Sequence, residues 1–167
     1  MKPKEPILIR VPDLGQVCYP VHREIQDKFH TMEVMAKEII KVIPAKKSIV
    51  FFCRGTSGII FATFMVNYLY NFNRDIVAHI EYVQKPEEDR HDSSKTPPKL
   101  LSSKNFNVIV DDFMASGLTL QKVYQRIQES IKTVDLLCLT GEIFLEKIHF
   151  PVKTFIAKNF SGEYRGE

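Results

Sequence analysis

The sequence has no long uninterrupted apolar run. Its most hydrophobic stretch, "SIVFFCRGTSGIIFATFMVNYLY", is cut by Arg54 and by the Gly55-Thr56-Ser57-Gly58 turn. A membrane span needs about 20 consecutive apolar residues, so this stretch reads as a buried strand followed by a buried helix, with no membrane partner. The start, "MKPKEPILIR", lacks the apolar centre of a secretory signal. Cysteine is sparse: Cys18, Cys53 and Cys138 are far apart, odd in number and form no Cys-x-x-Cys. They are expected to be reduced, buried thiols of a cytoplasmic protein. There is little excess charge of either sign, with 23 Lys and Arg against 20 Asp and Glu, a net +3. That balance, without a long basic run, argues against nucleic acid and suits a small anionic ligand. No internal repeat is visible.

The 167 residues amount to about one domain, and 44% hydrophobic with 26% charged residues is ordinary for a globular protein. Pro6–Val11 reads as a strand. From Arg23 to Val42, Ile25, Phe29, Met32, Ala36, Ile39 and Ile43 recur at helical steps, and Pro44 marks the end. Ser48–Cys53 is a continuous apolar strand of the kind found inside parallel sheets, and Ile59–Tyr70 is a helix apolar almost all round. Ile76–Val83 is strand-like. The following "QKPEEDRHDSSKTPPKLLSSKN" is polar, of mixed charge, and rich in Pro and Ser, as a functional lid or a disordered insert would be. The core resumes with a strand at Asn107–Asp111, a helix at Leu118–Ile131 and a strand at Val134–Thr140. A short helix at Glu142–Ile148 and a last strand at Val152–Ala157 complete the expected elements. The alternation predicts an α/β domain around a parallel sheet, with ligands at the C-terminal ends of its strands.

One stretch, "NVIVDDFMASGLTLQKV", carries most of the chemistry. An aliphatic strand runs into two aspartates, Asp111 and Asp112, which a parallel sheet delivers to its ligand-binding rim. Successive strand residues point to opposite faces, so the two acids are expected to differ in role. Carboxylates accept hydrogen bonds from vicinal hydroxyls such as those of a ribose. The turn Ala115-Ser116-Gly117-Leu118-Thr119 opens a helix, whose free N–H groups and positive dipole end attract an anion. Gly117 permits close approach, and Ser116 and Thr119 add hydroxyls. An isolated Asp-Asp would simply end a strand, and a lone Ser116 would cap a helix. The complete array reads as a sugar-phosphate site.

"VIVDDFMASGLTL" resembles the phosphoribosyl-pyrophosphate (PRPP) binding motif of the type I phosphoribosyltransferase family, and the likeness in element order runs over roughly Ile49–Ala157. The resemblance implies a single domain over 1–167 with a core at about 45–157. It also implies a parallel sheet with helices on both faces, a small hood from the N- or C-terminal segments, and a flexible closing loop at about 86–104. Asp111 and Asp112 would bind the ribose hydroxyls directly or through Mg2+, and Ala115, Ser116, Gly117, Leu118 and Thr119 would bind the 5′-phosphate. "FFCRGTSG" stands where the family has its pyrophosphate loop. Arg54 would contact pyrophosphate, with Gly55 and Thr56 beside it, and Gly55 is compatible with the strained or cis peptide found there in the family. Lys85, Arg90, Lys95 and Lys99 would lie on the closing loop. Phe155, Asn159 and Phe160 are candidates for the base site, the two phenylalanines by stacking.

The sequence departs from the hypoxanthine-guanine members at several points. Ala115 replaces their Asp, Leu139 stands where they carry a base-recognising Lys, and "IAKNFSGEYR" is only weakly like their tail, with Arg165 matching its Arg. The implied function is transfer of the phosphoribosyl group of PRPP to a nitrogenous base, a purine rather than a pyrimidine, by a cytoplasmic homodimer. The alternative is a non-catalytic PRPP- or nucleotide-binding regulator with the same fold.

Overall fold

Apolar residues alternate in facing along each central strand, and this divides the core in two. The computed structural model describes residues 5–12, 21–45, 47–72, 75–84 and 100–166. In chain order its elements are β1 (Ile7–Arg10), α1 (Val21–Val42), β2 (Ile49–Cys53), α2 (Gly55–Phe72), β3 (Ala78–Tyr82), β4 (Phe106–Asp111), α3 (Leu118–Ile127) and β5 (Val134–Leu139). There follow β6 (Ile143–Phe144), a 3-10 turn (Leu145–Lys147), β7 (Val152–Ala157) and β8 (Phe160–Ser161). Six strands form one sheet in the order β1-β7-β5-β4-β2-β3, and every pairing in it is parallel. β2, β4 and β5 are buried along their whole length, as expected of strands covered on both faces.

On one face Val50, Phe52, Ile109, Leu137 and Phe155 pack with Leu120, Val123, Tyr124 and Ile127 of α3. On the other, Ile49, Phe51, Val108, Leu136 and Ile156 pack with Met32, Met35 and Ile39 of α1 and Phe61, Ala62 and Met65 of α2. Each fully buried large side chain contributes about 1.5–3 kcal/mol by leaving water. α2 buries Phe61, Ala62, Met65 and Leu69 against the sheet and α1 but leaves Ile60, Tyr70 and Phe72 exposed, so the helix expected to be buried all round keeps an apolar outer face.

The strand order locates the ligand crevice. From β2 the chain moves outward to β3; it then returns to β4 and continues the opposite way to β5. The switch point lies between the C-terminal ends of β2 and β4, where open α/β sheets leave a crevice. Arg54 follows β2, and Asp111 ends β4.

Several expectations need correction. The short helix expected at Glu142–Ile148 is instead the strand β6 plus a 3-10 turn, because Ile143 and Phe144 pair with Phe160 and Ser161 in a separate two-stranded sheet. α3 stops at Ile127, and Ile131 turns back with its N–H on the Ile127 carbonyl at 2.9 Å. α2 begins four residues earlier than expected, at Gly55 rather than Ile59. Phe29 is 43% exposed and is not a core residue. No peptide bond among the described residues is cis; Gly55 instead takes a positive φ of 76°.

Residues 7–10 form an edge strand of the main sheet against β7. Leu100 and Leu101, at the end of the expected loop, pack against the core. Lys85, Arg90, Lys95, Lys99 and Cys18 lie outside the described residues. Cys53 and Cys138 are free and buried, as expected. No helix among the described residues is long and apolar enough to cross a membrane.

Candidate functional site

Two helices begin at the same crevice. α2 starts at Gly55, directly after β2 and Arg54, and α3 starts at Leu118, after the turn that follows β4. Arg54, Gly55, Thr56 and Ser57 on one side and the continuous run 111–120 on the other line a cleft of ≈ 520 Å³. Each helix start presents unpaired N–H groups and the positive end of a dipole. Both turns depend on glycine: Gly55 has φ 76° and Gly117 has φ 78°, a left-handed backbone that other residues adopt only with strain. The cleft therefore carries two anion-attracting turns with a pair of carboxylates at the end of the strand between them.

The two aspartates are held differently. Asp111 is buried, 7% exposed, and its Oδ1 accepts the backbone N–H of Asp112 at 2.9 Å. Burial raises its carboxyl to about 7; the N–H of Asp112 counters the rise, and the neighbouring Asp112 side chain adds to it. Asp112 is half-buried, and its carbonyl accepts the Thr140 hydroxyl at 2.6 Å. The Thr140 N–H reaches the Asp111 carbonyl at 3.4 Å, so the end of β5 braces the acidic pair. The buried thiol of Cys53 is pushed up to about 12 by burial and by the charge of Asp111.

The 115–119 turn is built from local and distant parts. Ser116 Oγ accepts the Leu118 N–H at 3.4 Å, and the Gly117 carbonyl accepts the Gln121 N–H at 2.9 Å, starting α3. A Cβ placed on Gly117 would lie 2.9 Å from Met114 Cε and 3.3 Å from the Lys147 carbonyl. Lys147 reaches back from the 3-10 turn, and its Nζ donates to the Ala115 carbonyl at 2.6 Å.

A phosphoribosyl transferase domain model matches residues 24–138, well over half of the chain. The chain belongs to the phosphoribosyl transferase domain family. Comparison with curated proteins finds no match. Among solved structures it is similar to a hypoxanthine-guanine-xanthine phosphoribosyltransferase, at 17% identity over 87% of this chain and 81% of that one, with a TM-score of 0.52. A hypoxanthine-guanine phosphoribosyltransferase from Bacillus anthracis matches at 14% identity over 83% of this chain and 79% of that one, TM-score 0.55. A hypoxanthine phosphoribosyltransferase from Staphylococcus aureus matches at 12% identity over 83% and 74%, TM-score 0.54. At these identities the likeness is one of fold. The family makes this chain a pentosyl transferase.

In this phosphoribosyltransferase the crevice gathers most of the expected site residues: Arg54, Gly55, Thr56, Asp111, Asp112, Ala115, Ser116, Gly117, Leu118 and Thr119 all line it. Phe155, Asn159 and Phe160 do not. Phe155 is fully buried in the sheet and meets Tyr164 edge-on with ring centroids 5.3 Å apart, so it is a core aromatic rather than a stacking surface. Asn159 is exposed, and its carbonyl accepts the Ile143 N–H at 2.9 Å. Phe160 is half-buried on the small sheet, with the Arg10 guanidinium 5.5 Å from its ring centroid.

Sequence reasoning missed Ser57, Phe113, Met114 and Leu120 in the lining, and also Thr140 and Lys147 behind it. The first four adjoin recognised motifs and were open to inference by adjacency. The last two arrive from 28 and 32 residues away and leave no local signal.

Proposed function

We propose that this phosphoribosyltransferase moves the phosphoribosyl group of PRPP to a nitrogenous base, a purine rather than a pyrimidine, as a cytoplasmic homodimer. The observation that carries the reading is the pairing of two helix starts around Asp111 and Asp112 in one cleft. PRPP has the matching order of groups: a pyrophosphate on C1′, a vicinal diol, and a phosphate on C5′. The turn at 54–57 would take the pyrophosphate, the acids the diol, and the turn at 115–119 the 5′-phosphate. The purine preference rests on the likeness to hypoxanthine-guanine enzymes. The two free buried thiols suit a reducing compartment.

The donor set also bears on magnesium. Among the described residues there is no cluster of three or more His, Cys, Asp or Glu that would cage a metal. Mg2+ bound with substrate phosphates needs only one or two carboxylates, and the adjacent Asp111 and Asp112 fit that mode. Bound there, the ion would supply positive charge that makes departing pyrophosphate less basic.

In the reaction, a ring nitrogen of the base attacks C1′ as the C1′–O bond to pyrophosphate breaks. Pyrophosphate leaves with the electron pair, and the proton of the attacking nitrogen passes to solvent. The protein's contribution is positioning and fixed charge. Arg54 stabilises negative charge growing on the leaving group. The acids hold the ribose and favour its cationic character at the transition state.

The test supplies PRPP and Mg2+ with a panel of purines and pyrimidines and measures pyrophosphate release. Release that depends on one purine is expected. PRPP binding with no release on any base would overturn the catalytic reading in favour of a regulator.

A further inference from the structure

The turn at 115–119 does not hold its shape alone. Lys147 lies 32 residues downstream of Ala115, on the 3-10 turn after β6; its Nζ donates to the Ala115 carbonyl at 2.6 Å, and its own carbonyl lies 3.3 Å from where a Gly117 Cβ would be. Its ammonium also sits 4.3 Å from the centroid of the Phe144 ring, which restricts where the side chain can go. Lys147 does not line the cleft, whereas Ala115, Ser116 and Gly117 do. The lysine therefore meets the turn from outside the cleft lining.

We infer that Lys147 is a positioning residue that aims the amide of Ser116 into the anion site, an inference resting on the reading of 115–119 as the 5′-phosphate turn. In a trans peptide the carbonyl and the next N–H point in opposite directions, and no described peptide here is cis. Holding the Ala115 oxygen toward Lys147 sends the Ser116 N–H the other way, toward the cleft. A cation on the carbonyl also polarises that peptide and strengthens the N–H as a donor. The Lys147 carbonyl closes the space beside Gly117 that a side chain there would need. Arg54 and the acids act on the substrate; Lys147 acts through the backbone that meets it.

The test measures affinity for inorganic phosphate and the phosphate-induced shift of the Ser116 amide proton by NMR, in the wild type, Lys147→Met, Lys147→Arg and Lys132→Met. Lys132 is exposed and remote from the cleft, so Lys132→Met controls for the loss of one positive charge. The expected result is phosphate affinity weakened about tenfold and a collapsed Ser116 shift in Lys147→Met. Lys147→Arg should be largely restored, and Lys132→Met should match the wild type. Equal losses in Lys147→Met and Lys132→Met, or an unchanged Ser116 shift in Lys147→Met, would overturn the inference. The pyrophosphate-release assay is independent: failure of the wild type there sinks the transferase reading, while the phosphate titration still decides the role of Lys147.

Discussion

The backbone N–H of Asp112 donates to the carboxylate of Asp111 at 2.9 Å, and this is the contact that opposes the burial of Asp111. The acid at the centre of the cleft is thus under tension before ligand arrives. Burial lifts its carboxyl from the ordinary 3.8 to about 7. Between those values the folded chain holds a proton that the unfolded chain has lost. Stability contributed at this position therefore falls as pH rises through that window and stays low above it.

Replacing Asp111 by Asn keeps an oxygen for the Asp112 N–H and removes the charge. The variant should gain about 1–2 kcal/mol of stability at pH 8, and less at pH 5, while losing PRPP binding, a trade of activity for stability. Denaturant midpoints at the two pH values check the first half, and a PRPP titration checks the second. A variant less stable than the wild type at pH 8 would show that the carboxylate is not strained.

Arg54→Ala should lower kcat/KM for pyrophosphate release about 100-fold, with a midpoint of thermal unfolding close to wild type. Arg54 follows β2 and is only half-buried, so little packing is lost. Arg54→Lys should recover only part of the rate, since an ammonium cannot present the planar fork that fits phosphate oxygens. Steady-state kinetics on the two variants measures this, and equal rates would remove Arg54 from the pyrophosphate end.

The sheet was legible because its strands are continuous apolar runs between turns. β7 runs Val152–Ala157 as read from the sequence, and β2 and β4 differ from expectation by one residue at their starts. The motif at Asp111–Thr119 was legible because its parts are contiguous and each has its own chemistry. What could not be read depends on pairing across distance. Ile143 and Phe144 form a strand only because Phe160 and Ser161 come alongside; over so few residues apolar spacing does not separate helix from strand. Phe155 has the right chemistry for stacking on a base, but β7 lies between β1 and β5, and on that inner strand its ring is fully buried. Lys147 looks like an ordinary surface lysine until the fold carries it to Ala115.

Gly117→Ala should weaken PRPP binding at least as much as it destabilises the fold. The methyl must adopt φ 78° and come 2.9 Å from the movable end of Met114 but 3.3 Å from the Lys147 backbone carbonyl, which has less freedom to shift. A cost of about 1–2 kcal/mol in folding is expected from the left-handed backbone. Differential scanning calorimetry with and without PRPP separates the two effects. A variant with wild-type PRPP affinity would show that the turn can move without loss.

Cys53 and Cys138 should resist alkylation in the folded protein. Cys53 is fully buried, and its thiol is raised to about 12; burial also raises that of Cys138. Since the thiolate is the reactive form, iodoacetamide at pH 8 should leave both unmodified until denaturant is added, as peptide mass spectrometry would show. Rapid labelling of Cys53 in the native state would mean that the floor beneath Asp111 opens to solvent.

The opposite rim provides a case where stability and function should separate. Asp135, at the start of β5, is buried; its Oδ2 accepts the Asn107 N–H at 2.9 Å and its Oδ1 the Lys153 Nζ at 2.7 Å. Asp135→Ala would strand the buried Asn107 N–H at the foot of β4, at a cost of about 1–3 kcal/mol. Lys153 is 63% exposed, so Lys153→Met should cost less than about 1 kcal/mol. Neither residue approaches the cleft, and β4 itself remains paired with β2 and β5 along its length. Both variants should therefore keep the wild-type KM for PRPP at temperatures where they remain folded. A raised KM in Asp135→Ala, with the fold intact by circular dichroism, would mean that β4 transmits disturbance from its foot to the acids at its tip and is not the rigid support assumed for them.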